Sequence, residues 1–293
     1  MAEGHLDGDR LDPGRRGGVG PVDRRNLHSD SHDGAMKPIL WQVAGFGIPT
    51  HDFFVGLGVT AAVAIFIWEA RRRSRLNEKL VWVVFGALIT GGLFARLSTG
   101  WKYWSGTEDP TLPGLWMQGG RSVLGGLAGA YLGVLITKRL VGYQSSTGDL
   151  FVPGLALGMA IGRIGCFLTE QIGTPTSLPW GITLAPDVAA QMPYCPSCAL
   201  GVPLHPSFIY EILFHAVAFV VVLAWRGRVQ PEGSLFKFYL LSYGIFRFLI
   251  EFVRGNPPMA GPFSGSQLFL LVTLPLLAWW MLRSRHSLTV APA

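Results

Sequence analysis

Five arginines lie at, or just inside, one end of long apolar segments of the chain: Arg96, Arg121, Arg163, Arg247 and Arg254. An arginine within a bilayer is costly unless it is paired or hydrated, so such residues mark functional sites by default. Guanidinium groups bind phosphate through two parallel hydrogen bonds. We therefore expect a positively charged pocket with too few nearby carboxylates to neutralise it. A phosphate at that depth belongs to a lipid headgroup.

One helical stripe combines a phenol, two cations and a carboxylate. Tyr243, Arg247, Glu251 and Arg254 are at offsets of 0, 4, 8 and 11, which fall within about 80° of one helix face. A simpler interpretation pairs Arg247 with Glu251 as an (i, i+4) ion pair. The spacing predicts that this face lines the site.

A second polar group precedes another apolar segment. Ser207 and Glu211 are four residues apart, and His205-Pro206 opens the helix, where proline is favoured in the first turn. His215 lies one turn deeper, and we interpret it as a hydrogen-bonded core residue.

Composition indicates which elements hold these residues. Hydrophobic residues make up 49% of the chain and charged residues 14%, with a mean hydropathy of +0.37, whereas soluble domains carry about 25% charged residues. Apolar runs of about 20 residues are long enough to cross a bilayer. The sequence predicts an all-α integral membrane protein of about seven transmembrane helices, at residues 52–70, 80–98, 122–140, 150–168, 206–225, 235–253 and 266–283.

Charge between the spans predicts their orientation. The basic residues that follow alternate spans are Arg71, Arg72, Arg73 and Arg75, then Lys138 and Arg139, then Arg226 and Arg228, then Arg283 and Arg285. Positive loops stay cytoplasmic. The N-terminus and a polar extracytoplasmic arm at 169–205 are therefore expected outside, and the C-terminal tail at 287–293 is expected in the cytoplasm. Because the net charge of +6 sits between apolar runs, it indicates contact with a lipid bilayer and no nucleic acid.

The first 36 residues differ from the membrane domain at 37–286. They are polar, rich in Gly, Asp and Arg, and contain no apolar core typical of a signal peptide. We expect a disordered tail, with Met36 as a hypothetical true start.

Small residues recur every four positions in the third and fourth spans. They are Gly125, Gly129 and Gly133, then Gly154, Gly158 and Gly162. Such stripes are typical of close helix packing, and we expect these two helices to pack together.

The arm contains two of the three cysteines, in Cys195-Pro196-Ser197-Cys198. Outside the cytoplasm a local disulfide, or two free thiols, is the favoured interpretation. A metal site would need more ligands, of which His205 is the nearest, and a redox motif is typical of another fold. Both stay open as alternatives, and the sequence predicts no metal site and no cofactor.

These motifs together resemble phosphatidylglycerol–prolipoprotein diacylglyceryl transferases over residues 45–285. The resemblance rests on an ordered set: Gly119-Gly120-Arg121-Ser122-Val123-Leu124-Gly125-Gly126, Gly162-Arg163-Ile164-Gly165, Pro179-Trp180-Gly181, His205-Pro206-Ser207 with Tyr210-Glu211, Tyr243-Gly244, Arg247-Phe248, Glu251-Phe252 and Arg254.

The resemblance implies an inner-membrane enzyme of bacteria, with its active site facing the outer leaflet. It implies transfer of the diacylglyceryl group of phosphatidylglycerol to the cysteine thiol of prolipoprotein signal peptides, with release of glycerol phosphate. The implied catalytic residues are Arg163, Arg247, Glu251 and Tyr243. The implied phosphatidylglycerol-binding residues are Arg163, Arg121, Arg254, Glu170, Gly119, Gly125, Ser207, Glu211 and His205.

The chain departs from the family pattern where the thiol would be activated. Leu124 stands at the position of a family histidine that is a favoured base, and Cys166 follows Gly165 where an asparagine is usual. The family acid matches Glu170 if the register shifts by one residue from Gln171. His51 or Asp52 stands near a family tyrosine.

These departures leave the activation of the thiol and the function open. Adjacent arginines could ionise the thiol without a base, or His51 or His205 could substitute for the missing histidine. The alternatives to the lipoprotein transferase are a transferase to another acceptor and a phosphatidylglycerol-binding or lipid-moving protein.

Overall fold

The computed structural model describes residues 39–43, 46–104, 122–170, 172–185, 201–283 and 289–290. Seven helices account for most of this part of the chain. They are α1 (Thr50–Arg72), α2 (Glu78–Trp104), α3 (Val123–Val141), α4 (Gly148–Thr169), α5 (Ser207–Trp225), α6 (Ser234–Arg254) and α7 (Gly265–Arg283). The two terminal segments expected from the sequence, 1–36 and most of 287–293, lie outside the described residues.

The helices confirm an all-α integral membrane protein. Their bounds agree with the predicted spans to within two residues, except that α2 continues to Trp104. Six of the seven described helices are long and apolar enough to cross a membrane. The exception is α6, which is 21 residues long but carries Lys237, Arg247, Glu251 and Arg254. The helix that carries the charged stripe is therefore the one described helix with too many charged residues to qualify as an apolar span.

Packing makes α4 the centre of the described bundle. This helix packs against α1, α5 and α6, while α2 packs against α3 and α6 against α7. Half of the apolar stretch of α4 is buried inside the protein, against 17–28% in the other five apolar helices. Residues near the end of α4 are thus held by three neighbouring helices.

The prediction that the glycine stripes join α3 to α4 is wrong. A Cβ atom at Gly158 would lie 2.7 Å from the carbonyl oxygen of Gly58 in α1, and one at Gly133 would lie 2.4 Å from that of Gly86 in α2. The stripe of α4 therefore faces α1, and the stripe of α3 faces α2. Sequence spacing identified the packing surfaces but could not say which helix they meet, since any smooth helix face fits a glycine stripe.

We expect Gly158→Ala to destabilise the protein, because its methyl group would push α1 away from α4. Overpacking of this kind typically costs about 1–3 kcal/mol. Thermal unfolding of the purified protein in detergent measures the loss. Gly162→Ala on the same helix is the control, because a Cβ there meets nothing within 4 Å. Equal melting temperatures for both variants would contradict the close contact.

The ends of α1, α5 and α6 away from the arginine stripe are joined by ion pairs. Glu69 is fully buried and contacts Arg73 at 2.6 Å and Arg226 at 3.4 Å. Beyond the end of α1, Arg75 lies 2.5 Å from Glu232, and its hydrogen bond lowers the pKa of that carboxyl group. Basic residues that follow two different apolar spans, α1 and α5, therefore lie at the same end of the bundle.

Short strands and the arm complete the described structure. The strands β1 (Ile39–Val43) and β2 (Phe46–Pro49) form an antiparallel hairpin before α1, and β3 (Val229–Gln230) pairs with β4 (Thr289–Val290). The described parts of the arm meet through Leu204, which bridges to Pro175 and Ile182. The segment 186–200, with Cys195 and Cys198, lies outside the described residues.

Candidate active site

Three helices bring charged residues together at the end of the bundle opposite Glu69. Arg163 comes from the last two turns of α4, Glu211 from the first two turns of α5, and Arg254 from the end of α6. Arg163 is 4% exposed and Glu211 is fully buried. The interior position of α4 explains why these polar groups meet inside the protein.

Arg163 lies at the centre of this cluster. Its Nη2 atom is 2.7 Å from Oε2 of Glu211 and 3.5 Å from the hydroxyl oxygen of Tyr243. Its Nη1 atom is 3.6 Å from the sulfur of Cys166. The buried Nε–H group has no acceptor among the described residues. A guanidinium has five donor hydrogens, and a phosphate oxygen could accept from this Nε–H group.

Arg254 links two carboxylates. Its Nη1 atom is 2.5 Å from Oε1 of Glu211, and its Nη2 atom is 3.3 Å from Oε2 of Glu170. The guanidinium also lies over the ring of Phe208, 4.4 Å from the ring centroid. Glu211 is thus shared by two arginines, which brings α4, α5 and α6 to one point.

Arg247 pairs with Glu251, one turn further along α6. The carboxylate of Glu251 also accepts hydrogen bonds from Ser264 at 2.6 Å and from Asn256 at 2.8 Å. A cavity of about 300 Å³ opens beside Glu251, Ser264 and Gln267. Glu251 therefore ties α6 to the start of α7 at the edge of this cavity. The predicted stripe of α6 faces into the bundle, because Tyr243, Arg247 and Glu251 are buried and Arg254 is partly buried; its role in the site stays a prediction.

The expectation of an unneutralised positive pocket is wrong for the described cluster. Arg163, Arg247 and Arg254 have carboxylate partners in Glu170, Glu211 and Glu251. The acids lie far apart in the sequence, on three elements, so their number near the arginines could not be judged from spacing. Arg96 lies on α2, and Arg121 and Gly119 lie outside the described residues.

Three other predicted binding residues have structural partners instead. Ser207 donates its hydroxyl proton to the carbonyl of Ile172 and so fixes the arm to α5. His205 Nδ1 lies 3.4 Å from the hydroxyl oxygen of Tyr210. Gly125 faces α2, where a Cβ atom would collide with Ser98. Their predicted roles in substrate binding stay predictions.

His215 is confirmed as a hydrogen-bonded core residue. It is fully buried, and its Nδ1 atom is 3.0 Å from the hydroxyl oxygen of Tyr239. Its ring also packs against Tyr243, with centroids 4.7 Å apart. His215 therefore supports the tyrosine that contacts Arg163.

Sequence reasoning did not foresee a group beside the arginines. His51 Nε2 is 3.7 Å from Oε1 of Glu170, and the ligand atoms of His51, Cys166 and Glu170 all lie within 4.8 Å of one another. The only local signal was the four-residue spacing of Cys166 and Glu170, which brings residues to one face of a helix, although α4 ends at Thr169 and Glu170 directly follows it. His51 is far away in the sequence and reaches them through the packing of α1 on α4.

Comparison with known proteins identifies a family. Residues 38–283 match the model of the prolipoprotein diacylglyceryl transferase family. The chain belongs to this family. It is 32% identical to a phosphatidylglycerol–prolipoprotein diacylglyceryl transferase of Gloeobacter violaceus over 265 residues, which are 87% of this chain and 96% of that protein.

Other relatives of the family carry the same name. The chain is 30% identical to the transferase of a Nostoc species over 275 residues, which are 87% of this chain and 93% of that protein. The chain is 31% identical to transferase 2 of Clostridium perfringens over 230 residues, which are 76% of this chain and 85% of that protein. The matched region contains all seven helices and all residues of the arginine cluster.

Proposed function

We propose that the protein transfers the diacylglyceryl group of phosphatidylglycerol to the lipobox cysteine thiol of prolipoproteins, the first step of lipoprotein maturation. The observation that carries the proposal is the buried cluster of Arg163, Arg247 and Arg254 with their carboxylates, in a chain of this family. A scaffold would not need three buried ion pairs within a membrane bundle, where charges are costly.

The reaction increases negative charge on the phosphate. The sulfur bonds to the glyceryl carbon, the carbon–oxygen bond to phosphate breaks, and glycerol phosphate leaves with one more negative charge. Preorganised donors stabilise such charge without reorganisation. Arg163 has a buried donor without an acceptor among the described residues, and Arg247 and Arg254 lie on the adjoining face of α6. We assign phosphate binding and leaving-group stabilisation to these arginines, with Tyr243 and Glu251 holding them in place.

We also propose an orientation in the bacterial inner membrane. The basic residues after α1 and α5 meet Glu69 and Glu232 at one end of the bundle, and the arginine cluster and the arm lie at the other. By the positive-inside rule the first end is cytoplasmic. The N-terminus and the active site then face outward at the outer leaflet, and the C-terminus is cytoplasmic.

Complementation tests the proposed function. The chain is expressed in bacteria depleted of their own transferase, and the expected result is growth together with lipidated lipoprotein. The matched control is Arg247→Ala, which should insert but not rescue. In parallel, purified protein is given phosphatidylglycerol vesicles and a lipobox peptide with cysteine or with serine. Lipid on neither peptide, with a well-folded protein, would contradict the proposal.

Leu124→His, which restores the family histidine, should change transfer by less than about threefold. A general base contributes about 10²–10⁴-fold only where the proton has no other acceptor. Here the arginine cluster itself stabilises a thiolate, and His51 lies at its edge beside Glu170, whereas His205 contacts Tyr210 instead. The measurement is a pH–rate profile of both forms on a lipobox peptide. A gain of tenfold or more, confined to pH values below 8, would show that this chain lacks a working thiol activator.

A further inference from the structure

Three residues at which the chain departs from the pattern of its family meet at one point. They are His51, Cys166 and Glu170, and one ligand atom from each lies within 4.8 Å of those of the other two. An imidazole, a thiol and a carboxylate are the three side chains that bind zinc. Their convergence joins residues that are 115 positions apart in the chain.

The distances suit one tetrahedral ion. Bonds to zinc of about 2.0–2.3 Å place neighbouring ligand atoms roughly 3.3–3.8 Å apart. His51 Nε2 and Glu170 Oε1 already have this separation, at 3.7 Å. The sulfur of Cys166 lies within 4.8 Å of both atoms. A rotation of its side chain that moves the sulfur by about 1 Å completes the set.

The surrounding structure brings these groups together where α1 packs on α4. Cys166 lies in the last turn of α4, and Glu170 is the extended residue that directly follows this helix. The helix α1 approaches closely there, since a Cβ atom at Gly165 would lie 3.3 Å from Cα of His51. The carboxylate of Asp52 stands 3.3 Å from Nδ1 of His51. Metal-binding histidines usually have such an acceptor on their other ring nitrogen.

The arginines nearby are compatible with a bound cation. A thiolate at Cys166 and the carboxylate of Glu170 together neutralise a divalent ion. With Glu170 counted toward the ion and no longer toward Arg254, Arg163 and Arg254 share only Glu211, which leaves the cluster with one positive charge. A second thiolate or the phosphate of a lipid then completes the charge balance.

We infer that His51, Cys166 and Glu170 bind a zinc-type divalent metal ion whose fourth position receives the thiol of the lipoprotein substrate. The side chains of His51 and Glu170 are 24% and 41% exposed, which leaves access on that side. Zinc sites with three protein ligands keep an open position, and a coordinated thiol is deprotonated. The metal then supplies the thiol activation that the resemblance would assign to a histidine at position 124.

This role of the metal rests on the proposed function. The substrate thiol gives its proton to water on coordination. A sulfur electron pair forms the bond to the glyceryl carbon of phosphatidylglycerol. The carbon–oxygen bond breaks, and its electrons leave with the phosphate oxygen of glycerol phosphate. No oxidant or reductant takes part.

Cobalt(II) binding tests the site without reference to activity. The full chain carries a non-histidine tag and Cys195→Ser with Cys198→Ser, so that Cys166 is its only thiol. We expect about one cobalt ion per chain and a thiolate-to-cobalt charge-transfer band. Cys166→Ser should abolish the band, and Asp52→Asn should weaken cobalt binding about 10–100-fold. His205→Gln is the matched control and should retain the band.

Two results would overturn the metal site. One is the absence of a charge-transfer band at millimolar cobalt in protein whose melting temperature shows that it is folded. The other is a band of equal intensity in Cys166→Ser. A lipobox peptide with cysteine should change the band, and the same peptide with serine should not. Identical spectra with both peptides would overturn coordination of the substrate thiol.

Activity then separates this inference from the proposed function. We expect Cys166→Ser, or removal of the metal by a chelator, to lower transfer about 10²-fold or more. Full transfer by the metal-free protein would overturn the inference and leave the proposed function intact. A cobalt band that responds to the peptide, without any transfer by the metal-loaded chain, would overturn the proposed function and leave the metal site.

Discussion

Arg247→Ala is expected to lower diacylglyceryl transfer by about 10²–10³-fold, the usual effect of removing one preorganised donor to a leaving group. Arg247 is buried on the stripe of α6 that faces the cluster. The measurement is initial transfer rate to a lipobox peptide at saturating phosphatidylglycerol, with protein content in the membrane measured alongside.

Loss of the cation also leaves Glu251 buried with an unmatched charge, so the single variant could fail by misfolding. The double variant Arg247→Ala with Glu251→Gln removes that charge and should recover the melting temperature, because the glutamine can still bond to Ser264 and Asn256. Transfer should stay low in the double variant. If transfer recovers with stability, Arg247 has a structural role only, and Arg254 becomes the first candidate for phosphate binding.

Glu211→Gln is expected to have the largest effect on stability, about 3–5 kcal/mol, because breaking a buried ion pair leaves uncompensated charge. Glu211 is fully buried between Arg163 at 2.7 Å and Arg254 at 2.5 Å. Glutamine keeps the shape and removes the charge. Thermal unfolding in detergent measures the change.

Glu232→Gln is the matched control at the other end of the bundle. Its partner Arg75 is also 2.5 Å away, but Glu232 is 36% exposed, and exposed pairs contribute about 0–1 kcal/mol. A second variant, Glu211→Gln with Arg254→Gln, restores the charge balance and should recover part of the stability. Equal losses for Glu211→Gln and Glu232→Gln would show that the cluster is not a buried ion-pair network.

Helix positions and the family followed from the sequence because both depend on local order along the chain. An apolar run of about 20 residues forms a helix in a bilayer whatever surrounds it, since its backbone groups must bond internally. The bounds of α4 and α6 were therefore predictable to within two residues. The stripe of Tyr243, Arg247 and Glu251 followed equally from helix geometry alone.

Tertiary packing decided the partners of those residues. Glycine stripes fit any helix face, so the sequence could not show that Gly158 meets α1 and Gly133 meets α2. The same packing places Glu211 between Arg163 and Arg254 and brings Glu170 to Arg254, so that the expected excess of positive charge is met by carboxylates. Charge compensation depends on distance in space, since Coulomb energy falls with separation and not with position in the chain.

The sequence by itself determined a multi-pass helical protein of a recognisable family, with an arginine stripe on α6. Only the tertiary structure brought His51 at the start of α1 to Cys166 and Glu170 at the end of α4. From the sequence, His51 was a candidate base and Glu170 a candidate lipid-binding residue, and nothing joined either of them to Cys166 as a ligand set. A ligand set requires atoms a few ångströms apart, and that proximity arises where α1 packs against α4 through glycine.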